Sequence, residues 1–182
     1  MKKAVGLLEY RSVTRGIVGA DTVVKAASVE LLQAATVCPG KFLVLFAGDV
    51  GSVQSAMEAG IAASEGVLID HFLLANVHEA VFPALSATSI IEPKGALGVI
   101  ETFTAAAAVV AGDIAVKTAQ VDLIEIRLAR GLGGKSFVTF CGDVGSVAMA
   151  VEAVAKSLAA EGTLLDKAVL PAPHREVWER LV

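Results

Sequence analysis

Apolar positions in this chain fall into short blocks whose period changes along the sequence, and that alternation predicts the elements. Ala4 to Tyr10 is an apolar run of strand length. Thr14 to Ala27 has helical length and good helix formers, with Gly16 and Gly19 allowing close packing. Leu31 to Val37 and Phe42 to Phe46 read as two strands. Cys38-Pro39-Gly40-Lys41 joins them, a turn in which proline pre-sets φ and glycine tolerates positive φ. Asp49 stands where a side-chain oxygen can cap a helix from about Val50 to Ser64. Val67 to Leu74 predicts a fourth strand, and His78 to Leu85 a short last helix.

The whole pattern then recurs. Ala4-Val5-Gly6-Leu7-Leu8-Glu9 returns as Ala96-Leu97-Gly98-Val99-Ile100-Glu101, so Gly6 and Gly98 stand 92 positions apart. At the same offset Asp21 matches Asp113, Lys25 matches Lys117 and Leu31 matches Leu123. Gly48-Asp49-Val50-Gly51-Ser52-Val53 recurs unchanged as Gly142-Asp143-Val144-Gly145-Ser146-Val147 at an offset of 94, which puts two extra residues between Lys117 and Gly142. His78 and His174 match at 96. Such a period is too long for a solenoid, whose units run to about 50 residues. The expected fold class is therefore α/β, two tandem domains of order βαββαβα, each a four-stranded, mainly antiparallel sheet with helices. Residues 1–90 form the first domain and 91–182 the second, with the boundary in Ser86–Gly95, where Ser, Thr, Pro93 and Gly95 cluster.

Composition adds a constraint on assembly. Hydrophobic residues make up 55% of the chain and charged ones 19%, and most of the excess is Ala and Val. Large oligomer interfaces are the simplest outlet for that surface. A membrane is the rival outlet, and it fails on length: the longest uncharged stretch, Ala80 to Ile91, is twelve residues and includes Pro83, against about 20 for a span. Lys2 and Lys3 precede too short an apolar run for a signal peptide. A soluble, cytoplasmic protein is expected. The net charge of −4, without a Lys/Arg block, gives nucleic acid no footprint. Two cysteines are too few for a disulfide framework and read as thiols or metal ligands.

The Gly-x-x-Glu strand, the helix carrying Asp21, Lys25 and Ala27, and the repeated Gly-Asp-Val block resemble the bacterial microcompartment shell domain, across nearly the whole chain. Within that family, Thr36 to Phe42 resembles the iron–sulfur shell proteins of propanediol-utilisation microcompartments. The resemblance implies a non-enzymatic shell subunit. It would assemble as a homotrimer that mimics a hexamer, tile with other shell proteins, and reside in the microcompartment shell. The β–β turns would converge on the axis, with Pro39, Gly40, Leu132, Gly133 and Gly134 lining a pore. Single-domain relatives often carry an Arg before a Pro-His near the domain end. Here those positions read Leu74 to His78 and Leu170 to His174, which leaves Lys25, Lys117, His78 and His174 as the shell-edge residues.

Cys38 is the sharpest candidate for chemistry. By itself it is one loop thiol, and one cysteine cannot hold a cluster. Three copies around the implied axis would supply three thiolates, enough for one [4Fe–4S] cluster per trimer with a non-protein fourth ligand, or for Zn²⁺ with a water. Lys41 is either a thiolate-stabilising charge or a solvated loop lysine. The matching turn of the second copy, Ala129 to Lys135, carries glycines and no thiol, and lacks P-loop spacing. Cys141 reads as a buried small hydrophobe, His71 as surface, and Asp49 and Asp143 as helix caps. No nucleophile–base pair or dinucleotide fingerprint is present in the sequence. Three readings follow: a shell subunit passing electrons or clusters across the shell, with a redox enzyme as partner; a plain shell subunit whose pore passes a metabolite; and a trimeric ligand-binding regulator.

Overall fold

The computed structural model describes residues 3–92 and 94–181. Lys2 and Pro93, used above in reading the N-terminus and the linker, lie outside the described residues. The chain divides into two compact units.

The first unit runs β1 (Ala4–Tyr10), α1 (Val13–Ala26), β2 (Glu30–Val37), β3 (Lys41–Gly48), α2 (Val50–Ala62) and β4 (Leu68–Ala75). Its sheet has the order β2-β3-β1-β4 with every ladder antiparallel. The register follows from which face must be buried. Tyr10 lies opposite Phe42 and Leu8 opposite Val44, and these side chains join Phe46 in packing against Val23 of α1 and Val53, Ala56 and Met57 of α2. A one-residue slip would turn that whole set away from the helices. Gly6 is needed for the same packing, because a Cβ there would lie 2.5 Å from the Phe46 ring. Gly98 meets Phe140 in the same way in the second copy.

The second unit contains α3 (Val81–Leu85), β5 (Ala96–Thr102), α4 (Ala105–Thr118), β6 (Val121–Leu128), β7 (Ser136–Gly142), α5 (Val144–Ala160), β8 (Leu164–Leu170) and α6 (Arg175–Leu181). The sheet order is β6-β7-β5-β8, the same topology as the first. The irregularities are duplicated as well: the register shifts at Leu31/Gln33 and Glu9/Tyr10 reappear at Leu123/Glu125 and Glu101/Thr102. The two α/β domains with antiparallel sheets are thus as expected.

One expectation at the end of the first copy changes. The short helix begins at Val81 and not at His78. Asn76 takes a left-handed conformation at φ 54°, and the Val77 N–H donates to the Lys3 carbonyl, so the chain is not yet helical at His78. The division between units falls between Glu79 and Ala80, ahead of the 90/91 boundary read from composition. The reason is that α3 packs against β6 and α4, so its apolar side chains join the second unit.

Candidate metal centre and axial turns

The two β–β turns are built on equivalent frames. In the first, β2 and β3 close at Val37 opposite Lys41, and three residues, Cys38, Pro39 and Gly40, form the apex. The Cys38–Pro39 peptide is cis. Gly40 sits at φ 76°, where a Cβ would meet nothing within 4 Å; the glycine answers the backbone conformation and the space beside it stays open. Cys38 is a free thiol and half-buried.

The second turn closes at Leu128 opposite Ser136. Its apex holds five residues between Ala129 and Lys135, against three between Val37 and Lys41, so this is where the two extra residues lie. Gly131, Gly133 and Gly134 all have positive φ, and the Ala129 N–H donates to Ser136 Oγ at 3.0 Å. Pro39, Gly40 and Gly133 are exposed, and Leu132 and Gly134 half-buried.

Lys41 is held in an ion pair and is not a free solvated lysine. Its Nζ donates to Glu9 Oε1 on the neighbouring strand at 2.7 Å, with both side chains largely buried. Lys135 makes the same bond to Glu101. These carboxylates were missed in reading the sequence, although Glu9 and Glu101 stand at the first offset and Lys41 and Lys135 at the second. The pairs clamp the base of each turn to the central strand and leave the apex free to differ.

Fitting a metal to the first turn rests on donor chemistry. A half-exposed thiolate beside an open glycine is a competent soft ligand for iron–sulfur or zinc. Among the described residues no three His, Cys, Asp or Glu side chains gather in one chain to hold an ion. A metal here would therefore draw on Cys38 from more than one copy. Cys141 is fully buried, and burial pushes its thiol pKa up.

The remaining candidates are accounted for locally. Asp49 and Asp143 cap α2 and α5, each accepting from the N–H and hydroxyl of the serine three residues on. Those serine bonds hold both carboxyl pKa values below the ordinary 3.8. Lys25 and Lys117 sit in the last turns of α1 and α4, bonded to Asp21 and Asp113 at 2.6 Å. His174 opens α6, its Nδ1 accepting from the Glu176 N–H at 3.3 Å. His78 lies in the loop ahead of α3, exposed like His71.

No helix among the described residues is long and apolar enough to cross a membrane. The BMC domain family model matches residues 4–77 and 96–173. The chain is 38% identical over its full length to the bacterial microcompartment shell protein PduT of Citrobacter freundii, covering 99% of that protein. Half of it is 35% identical to 91% of the carboxysome shell protein CsoS1 of Prochlorococcus marinus, consistent with one domain there against two here. A solved microcompartment protein from Desulfitobacterium hafniense DCB superposes with a TM-score of 0.96 at 47% identity, over 98% of this chain and 99% of that one. This chain belongs to the BMC domain family, as a tandem two-domain member whose relatives are bacterial microcompartment shell proteins.

Proposed function

We propose that this protein is a structural, non-enzymatic subunit of a bacterial microcompartment shell. In this reading three copies form a ring and hold one [4Fe–4S] cluster through their Cys38 thiolates. The observation that carries the finer reading is the asymmetry of the turns: a free, half-exposed thiol crowns the first, while the second has only glycines, Arg130 and Leu132. A ring of three such chains presents three thiols, one short of a full ligand set, so the fourth iron takes an exogenous ligand. Bound there, a cluster would supply one-electron redox chemistry. The chain's own contribution is to hold the Cys38 turn rigid on the β2–β3 ladder and the Lys41–Glu9 pair. The glycine turns support the accompanying reading of a narrow axial opening, because backbones without side chains can approach closely.

Iron and acid-labile sulfide on anaerobically purified protein test the cluster. The expected result is about four of each per trimer, lost in Cys38→Ala with the assembly unchanged. Unchanged iron in Cys38→Ala, or none in the native protein after reconstitution, would leave a shell subunit with a plain pore.

A further inference from the structure

The two β–β turns can be laid over one another from the strand that enters each. The offset of 92 that relates Leu31 to Leu123 holds to the ends of β2 and β6, where Thr36 faces Phe42 and Leu128 faces Ser136. One residue further on, Val37 and Ala129 are both buried. The next position is Cys38 in the first turn and Arg130 in the second. The second turn therefore puts a guanidinium where the first puts its thiol, and the two extra residues come after it.

Arg130 is exposed, and it carries the one charged side chain in either apex. Other cations around the turns are engaged: Lys41 with Glu9, Lys135 with Glu101, and Arg127 with Glu125, its guanidinium 5.1 Å from the centre of the Phe137 ring. Arg130 has no ion-pair partner among the described residues. A solvated charge of this kind adds little to the stability of its own domain.

We propose that Arg130 is the charge partner of the Cys38 site: in the ring of three, guanidiniums and thiols alternate at matching places in successive turns, and the guanidiniums offset the negative charge gathered there. This rests on the cluster-bearing ring proposed above and adds what sets its charge. Three thiolates outweigh the charge of a [4Fe–4S] core, and one-electron reduction adds a further negative charge. Positive charge close by favours that reduced form and raises the potential. Arginine suits the task, since its charge does not titrate in any accessible range and is weakly hydrated. The iron-free protein keeps the same field, which draws anions toward the thiols.

Alkylation of Cys38 in the iron-free protein tests this. Iodoacetate is an anion and iodoacetamide is neutral, and the same thiolate attacks both. The ratio of their rate constants thus cancels the thiol's own ionisation and reports the local charge. At low salt the ratio of iodoacetate to iodoacetamide rates should fall about 10-fold in Arg130→Gln, return in Arg130→Lys and fall further in Arg130→Glu. Added salt should erase these differences by screening. Arg130 is exposed, so circular dichroism should report the native fold for each variant. With the cluster reconstituted, Arg130→Gln should lower its midpoint potential, cutting the reduced-to-oxidised ratio about tenfold, or about 59 mV for one electron. Equal alkylation ratios in the native protein and Arg130→Gln at low salt, with about four irons still bound per trimer, overturn the role of Arg130 and keep the cluster. No iron after reconstitution, with a ratio that still follows the charge of this side chain, overturns the cluster and keeps Arg130 as the partner of three bare thiols.

Discussion

Replacing Gly19 with alanine would set a methyl group against Tyr10, a fully buried and hydrogen-bonded side chain of the first domain. A Cβ on Gly19 collides with Tyr10 Oη and lies 2.5 Å from Cζ. Tyr10 cannot retreat cheaply: it is fully buried, its hydroxyl donates to the Gly60 carbonyl at 3.0 Å, and burial pushes its pKa up to about 12. The second copy shows the relieved arrangement, with Thr102 in place of Tyr10 and Ala111 in place of Gly19. The same exchange recurs one turn away, where Phe42 faces Gly16 in one copy and Ser136 and Ala108 take those positions in the other. Large strand residues go with helix glycines, small ones with alanines.

Overpacking at such a site costs about 1–3 kcal/mol, and losing the tyrosine hydrogen bond adds about 1. Alanine returns about 1 through helix propensity. The net is a loss of about 1–3 kcal/mol, at roughly 2–4 °C of Tm per kcal/mol for a chain of this length. In a Tyr10→Thr background the clash and the hydrogen bond are both gone, so Gly19→Ala should stabilise by up to about 1 kcal/mol. Urea unfolding followed by circular dichroism on the four proteins of this cycle measures the coupling. An equal penalty for Gly19→Ala in both backgrounds would refute the argument.

Removing the Lys41 charge as Lys41→Met strands a largely buried Glu9 and should cost about 1–3 kcal/mol. Lys135→Met, whose pair with Glu101 is far more exposed, should cost at most about 1; equal urea midpoints for the two variants would contradict this. The Asp49 carboxyl titrates below its ordinary 3.8 in the folded state, so its contribution is present above that value and lost as pH falls through the folded pKa. Asp49→Ala should therefore lower the urea midpoint at pH 7, with the gap to the native protein closing as pH falls below the ordinary 3.8 and through the lower folded pKa. Iodoacetamide at pH 8 should modify Cys38 of the iron-free protein and spare Cys141 until denaturant is added, since burial raises the Cys141 thiol; mass spectrometry finding both labelled in the folded protein would contradict that.

What could be read from the sequence was local or repeated. The caps at Asp49 and Asp143, the strand lengths and the β–β turns rest on neighbours within a few residues, and duplication displayed each of them twice. The partners of Lys41 and Lys135 were out of reach because a carboxylate 32 or 34 residues away becomes a neighbour only once the β1–β3 and β5–β7 registers are known. The division of the compact units at Glu79/Ala80 has the same origin. Val81 to Leu85 is a plausible end to the first copy by pattern, and only the packing on β6 and α4 assigns it to the second.

The positions where the copies stay alike and where they part follow from what each must do. The Asp caps, the Lys–Glu clamps and the register shifts are common to both, since each sheet needs the same frame. Beyond the clamps the copies part at the apex, three residues with a thiol against five with glycines. In the proposed ring of three, fusing two copies lets the apex vary while the clamped base does not, so that three thiols and not six would face the axis. Three would suit a cluster with one open iron and would leave the other three turns to shape the opening. Transplanting the apex tests the idea directly. Replacing residues 130–134 by Cys-Pro-Gly should preserve the fold, because Lys135–Glu101 still closes the turn, and should raise the reactive thiols of the iron-free protein from one to two per chain. A transplant that unfolds the domain would show that apex and base are not independent.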